Sequence, residues 1–162
     1  MQLSNKVGIF LSFSLILLFI IGIYFLSTRW ILGISPSDSL FTHIFVVDKN
    51  NKDVVKGDIV GFYYQGKEIY HFKKGDKFLK YIACEAGELL TVKDRKYYCN
   101  GVFISEAIKI NSHGDKVEMW EYNGVIPKGK FFTFAPYEFS YDSRYWGFAD
   151  RNEIIGKAYE VF

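Results

Sequence analysis

The sequence predicts an all-β domain carried behind one membrane-spanning helix. Three observations predict it. An uncharged apolar run extends from Val7 to Ser27, short β-branched and aromatic runs cut by Gly, Asn and Asp follow it, and no long amphipathic helical pattern appears after the first run. A length of 162 residues fits one compact domain. That domain is expected at 28–162, after a short tail at 1–6 and a span at 7–27.

Between Val7 and Ser27 only Gly and Ser relieve the apolar residues. At about 1.5 Å per residue, such a helix crosses a hydrocarbon core of roughly 30 Å. A cleavable leader would carry a shorter apolar region, and no small-residue A-x-A site follows Ser27, so the run reads as an anchor. Lys6 and the terminal amine precede it and Arg29 follows closely, which favours the N-terminus inside and the domain outside.

Thr28 to Leu40 reads as a short connection ending in the turn-prone Ser35-Pro36-Ser37-Asp38-Ser39. Strands are then expected at Ile44 to Val47, Asp58 to Tyr64 and Phe78 to Cys84, with Glu68 to Phe72 pairing back onto the second across Gln65-Gly66-Lys67. Leu89 to Val92 and Lys96 to Cys99 flank Lys93-Asp94-Arg95 as a hairpin, and Asn100-Gly101 turns the chain into Val102 to Ile104. Ser105 to Gly124 is poorly patterned and reads as irregular. Lys130 to Ala135 and Glu153 to Val161 supply the last strand patterns.

A formal net charge of +2 and the lack of a basic stripe with interleaved rings exclude a nucleic-acid partner. His43, His71 and His113 are scattered and Cys84 and Cys99 form no C-x-x-C, so no zinc site is expected. The two cysteines fit either one disulfide in an oxidising compartment or two buried thiols.

Three places carry candidate chemistry. Ser39 sits in a turn that follows the anchor closely, where a nucleophile would lie near the membrane surface. Lys80 falls within Phe78-Leu79-Lys80-Tyr81-Ile82-Ala83, where alternation puts it between Phe78 and Ile82, with Leu79, Tyr81 and Ala83 opposite. Both faces read as buried, and burial would disfavour the ammonium by the ~3–5 kcal/mol that a general base at neutral pH requires. A snorkelling lysine is the plainer alternative. Asp142 and Arg144 are two apart and would point the same way in an extended segment, amid a stretch where nine of the eighteen residues from Phe131 to Phe148 are rings. Charges set among rings need partners.

Asp142-Ser143-Arg144-Tyr145-Trp146-Gly147-Phe148 resembles the C-terminal signature of the signal peptidase I family, and Ile154-Ile155-Gly156-Lys157-Ala158 the strand that follows it there. Phe78-Leu79-Lys80-Tyr81-Ile82 with Gly87-Glu88 is similar to the family's catalytic-lysine block, Lys56-Gly57-Asp58-Ile59-Val60 to its K-G-D-I-V strand, and Tyr98-Cys99-Asn100-Gly101 to its Y-x-N-G. The order agrees along nearly the whole chain. Ser37 to Phe45 resembles the conjugative-transfer, TraF-type branch, with Phe41 where that branch has proline and His43 where it has glycine. The housekeeping Gly-Asp-Asn-Arg stretch is replaced by Ala135-Pro136-Tyr137-Glu138.

The resemblance implies an antiparallel signal-peptidase-like β domain and a cofactor-free serine endopeptidase. Ser39 would be the nucleophile, Lys80 its base, and Ser37 a hydroxyl donor to the oxyanion. Ser140 would position the lysine, while Asp142 and Arg144 would brace the site. It further implies an inner-membrane, single-pass protein with its domain on the periplasmic face, in contact with membrane lipid. The expected substrate is an exported precursor, pilin-like in a conjugative system, with cyclisation of the pilin as a variant outcome. General cleavage of secretory signal peptides is the alternative. An inactive membrane-bound assembly factor is disfavoured by the joint presence of Ser39, Lys80 and the Asp142–Arg144 pair.

Overall fold

The computed structural model describes residues 2–35, 38–69 and 72–161. A helix α1 runs from Gln2 to Arg29, and its Val7–Arg29 portion is long and apolar enough to cross a membrane. Its end is bolted to the domain. The Arg29 guanidinium grips the buried Asp48 carboxylate with Nε at 3.2 Å and a second nitrogen at 2.8 Å, and Lys49 Nζ donates to the Ser27 carbonyl at 2.8 Å. The lysine satisfies one of the carbonyls that a helix C-terminus leaves without intrahelical partners.

The chain continues through β1 (Trp30–Ile34), a 3-10 turn at Asp38–Leu40, β2 (Ile44–Asp48), β3 (Ile59–Tyr63) and β4 (Lys77–Glu85). Next come β5 (Leu89–Lys93), β6 (Lys96–Cys99), β7 (Val102–Glu106), β8 (Gly124–Val125) and β9 (Lys130–Phe134). The last elements are the one-turn helix α2 (Ser143–Trp146), β10 (Ala149–Asp150) and β11 (Ile154–Glu160). Two antiparallel sheets result. One is ordered β1-β2-β11-β3-β4-β9-β10 and the other β7-β6-β5-β8, which bears out the all-β reading.

Turn chemistry explains the second sheet. Asp94 and Arg95 both take positive φ, as do Asn100 and Gly101, the backbone that two-residue hairpin turns require. In the first sheet Gly156 is obligatory, because a Cβ there would collide with the Asp48 carbonyl where β11 crosses β2. Strand β4 belongs to the first sheet, shows a register shift against β9 between Ile82 and Cys84, and leads by a turn into β5 of the second. Its middle holds Lys80, and its far end joins the second core, where Cys84 and Cys99 are buried with Leu90, Tyr97 and Phe132.

Three expectations are corrected. Trp30–Ile34, read as part of a connection, is strand β1 paired residue for residue with β2. Its apolar side chains had merged with those of the anchor, so no boundary showed in the pattern. Glu68 to Phe72 does not pair with β3, whose partners are β4 and β11; Ile69 bridges Phe72 instead, and the tip between them lies outside the described residues. Asp142 and Arg144 lie not on an extended segment but at the start of α2, with Asp142 as its N-cap.

Cys84 and Cys99 are joined in a disulfide that ties β4 to β6 across 15 residues of chain. In the chain-entropy account a loop of this size contributes about 3 kcal/mol. Replacing both cysteines with serine is therefore expected to lower the midpoint of thermal unfolding, followed in detergent, by several degrees. An unchanged midpoint would show that the staple adds nothing to the packing of the two sheets.

Candidate active site

A cleft of about 430 Å³ opens along the first sheet, and Ser39 and Lys80 both line it. Its walls are largely apolar, with Ile31, Val47, Leu79 and Ile155 among them, and Phe72 and Tyr141 at one side. A largely apolar groove of this kind favours apolar groups and excludes water.

Ser39 is held by its neighbours in sequence. It lies in the 3-10 turn, 7% exposed, with Leu40 beside it driven into a core of Phe45, Val47, Ile59 and Ala135. The Ser39 carbonyl accepts from the Tyr137 N–H at 3.4 Å, which couples this loop to the segment after β9. Phe41 then takes φ +59°, a left-handed conformation uncommon for a bulky residue. Proline, the usual residue of the TraF-type pattern here, is locked near φ −65° and cannot adopt it. The exposed Phe41 ring stands edge-on to Tyr137, with ring centres 6.4 Å apart. His43 spans the loop, its ring nitrogens 3.2 Å from the Ser35 carbonyl and 3.7 Å from the Asp38 carboxylate.

Lys80 comes from the middle of β4, opposite Val60 of β3, and is only 6% exposed. Its Nζ donates to Ser140 Oγ at 2.9 Å. Burial pushes its pKa down to about 8; Asp142 opposes the drop and Arg144 reinforces it. An appreciable fraction of the amine is then neutral near pH 8, whereas an ordinary lysine stays almost wholly charged. The sequence placed Lys80 on a strand, but the snorkelling alternative is removed by the walls around it.

Asp142 and Arg144 are buried at 0% and 1% exposure, and their ion pair is closed at 2.8 Å. The Asp142 carboxylate accepts from the Arg144 N–H and Nε, from a second guanidinium nitrogen, and from the Ala135 N–H. Arg144 in turn donates to the Ser140 carbonyl at 3.2 Å. Helix capping explains the placement: Asp142 accepts the Arg144 N–H in the first turn of α2, and the guanidinium folds back over the same carboxylate.

The structure thus brings together Ser39, Lys80, Ser140, Asp142 and Arg144. Ser37, expected at the oxyanion, lies outside the described residues. Sequence reasoning missed Tyr97, Ser105 and Glu106, all from the second sheet, which contact Arg144. Nothing local in their strands marks them. Among the described residues, the single cluster with metal-ligand types is Cys84, Glu88 and Cys99, and the disulfide occupies both of its sulfurs.

A hydroxyl and a partly neutral amine facing one apolar cleft are suited to acyl transfer, with the amine moving the proton. The sequence model of the family described as "Signal peptidase, peptidase S26" matches residues 4–162, and the chain belongs to this family. It is similar to signal peptidase I of Aquifex aeolicus (strain VF5), 27% identical over 130 residues, covering 71% of this chain and 48% of that protein. It is also similar to signal peptidase IB of Staphylococcus aureus (strain COL), 26% identical over 163 residues, covering 88% of this chain and 80% of that protein. The chain therefore spans about half the length of the first relative and four-fifths of the second. A crystal structure of a signal peptidase I from Enterococcus faecalis V583 aligns at 22% identity with a TM-score of 0.44, over 66% of this chain and 97% of that one.

Proposed function

We propose that the chain is a membrane-anchored serine endopeptidase of the signal peptidase I type, with Ser39 as nucleophile and Lys80 as general base. The observation that carries this reading is Lys80 itself, buried, hydrogen-bonded to Ser140 and depressed to about 8, at a cleft that Ser39 also lines. In the proposed mechanism the neutral amine takes the Ser39 Oγ proton as the oxygen attacks the scissile carbonyl. The oxyanion is met by the Ser39 backbone N–H and the Ser37 hydroxyl. The ammonium then passes its proton to the leaving amine, and the acyl-enzyme is hydrolysed by a water that Lys80 deprotonates in turn. Ser140 keeps Nζ aimed through both halves, and the Asp142–Arg144 pair holds Ser140 through its carbonyl.

The substrates we propose are exported precursors cut at the outer face of the inner membrane. The disulfide supports that side, since such bonds persist in oxidising compartments and are rare in the cytosol. Within that class a dedicated, pilin-like precursor is favoured by the nucleophile loop. Ser39-Leu40 there resembles the TraF-type pattern, while Phe41, in a backbone conformation closed to proline and with Tyr137 against it, departs from that pattern at the rim. General cleavage of secretory signal peptides fits the family relatives equally.

Both readings require Ser39→Ala to abolish cleavage with the fold intact, because removing one loop hydroxyl changes stability little. The dedicated reading expects no growth rescue of a strain depleted of its housekeeping signal peptidase, and processing of a pilin-like precursor encoded nearby. Rescue with broad processing would establish the general reading instead. A product one water lighter than the hydrolysed pilin would reveal head-to-tail joining.

A further inference from the structure

The guanidinium of Arg144 has five N–H groups, and all five are taken. Nε and one NH2 hydrogen go to Asp142, the other NH2 hydrogen goes to the Ser140 carbonyl, and NH1 donates to Ser105 Oγ at 3.0 Å and the Glu106 carbonyl at 2.8 Å. Two of the five anchors therefore come from β7, the outer strand of the second sheet, 38 and 39 residues away in sequence.

How β7 reaches this point is informative. Tyr98 pairs with Phe103 and Tyr97 with Ser105, so Ile104 is an extra residue bulged out of the ladder. A bulge re-aims the side chains beyond it. Here it sets Ser105 opposite Tyr97, and residues directly opposite on antiparallel strands share a face. Both members of this pair hold residue 144. Ser105 takes its guanidinium, and the Tyr97 hydroxyl reaches its carbonyl at 2.9 Å, where the Trp120 N–H also donates at 2.8 Å.

We propose that Ser105 is a positioning residue for Lys80, acting along the chain Ser105 Oγ, Arg144 guanidinium, Ser140 and Lys80 Nζ, so that the second sheet sets the geometry of the base. The inference rests on the Ser39–Lys80 reading for its catalytic meaning, but its geometry stands apart from any substrate. Without the Ser105 hydroxyl, a buried guanidinium keeps an N–H with no acceptor and shifts toward water, loosening Ser140. The charged and titratable groups that act on Lys80 are Asp142 and Arg144, and those that act on Arg144 are Asp142, Tyr97 and Tyr145. Retreat of Arg144 and entry of water both favour the Lys80 ammonium, so its titration should move up in pH.

The test follows the Lys80 13Cε resonance with pH in the full chain in detergent micelles, the signal being assigned by its loss in Lys80→Met. Ser105→Ala and Ser105→Val are expected to raise the midpoint by about half a unit or more, while Ser105→Thr, the isostere of valine that keeps the hydroxyl, stays with wild type. Precursor cleavage near pH 7 should fall by about threefold or more in the first two variants, from the smaller neutral fraction. Unchanged midpoints in both the alanine and valine variants, or a threonine variant that moves with valine, would overturn the proposal. If the titrations behave as expected but wild type cleaves no precursor, the peptidase reading falls and the coupling stands.

Discussion

Lys80→Met is expected to abolish peptide-bond cleavage and at the same time to stabilise the domain by about 3 kcal/mol at pH 7. The two effects share a cause. Folding lowers the lysine from an ordinary 10.5 to about 8, so at neutral pH the folded protein carries a buried ammonium that the unfolded chain would carry in water. At about 1.4 kcal/mol per unit, that difference is a folding penalty present in full below pH 8. Between pH 8 and 10.5 the unfolded state binds more protons than the folded one, so wild-type stability should rise across this window. Methionine fills a similar volume without a charge and has no such dependence. Thermal midpoints of both proteins between pH 6 and 10.5 should therefore start several degrees apart, with the variant higher, and converge. Wild-type cleavage should climb with pH through about 8. A variant that is less stable than wild type at pH 7, or that retains cleavage, would rule out a desolvated base at this position.

Asp142→Ala is expected to cost about 3–5 kcal/mol of stability and to abolish cleavage. The carboxylate is fully buried and accepts four N–H groups, three from Arg144 and one from Ala135. Removing it leaves the guanidinium, 1% exposed, without a counter-charge, and strips α2 of its N-cap. The unpaired charge dominates, because a lost cap alone costs only ~1 kcal/mol. Replacing both partners with apolar residues, Asp142→Leu with Arg144→Met, should recover much of the stability, since no charge then remains to be solvated. Cleavage should not return, because without Arg144 the Ser140 carbonyl loses its guanidinium donor. Denaturant unfolding of the two variants beside wild type decides the matter. A double variant as unstable as the single would show that capping and packing, not the buried charge, set the cost.

Much of the fold was legible because it is written locally. Uncharged apolar residues from Val7 to Ser27 need no partner to declare a helix long and apolar enough to cross a membrane, and the turns at Asp94-Arg95 and Asn100-Gly101 declare their hairpins by backbone preference. Where local signals overlapped, the reading failed. Trp30 to Ile34 is as apolar as the helix before it, and the strand emerged only from its pairing with β2. Glu68 to Phe72 had a strand-like composition, but β3 was already paired on both edges by β4 and β11.

The candidate site divides in the same way. The turn beside the anchor, alternation along β4 and the ring-rich stretch around Asp142 named Ser39, Lys80, Asp142 and Arg144, while Ser37 and Ser140 were named by resemblance. The sequence by itself thus determined residue types, the period of each strand, and the family pattern. Only the tertiary structure decided that Lys80 meets Ser140 across 60 residues, that Cys84 and Cys99 join, and that Tyr97 and Ser105 from another sheet hold Arg144. The reason is physical. Strand period and turn type follow from sterics within a few residues, whereas desolvation of an amine and satisfaction of a buried guanidinium depend on every wall around them, and those walls come from distant parts of the chain.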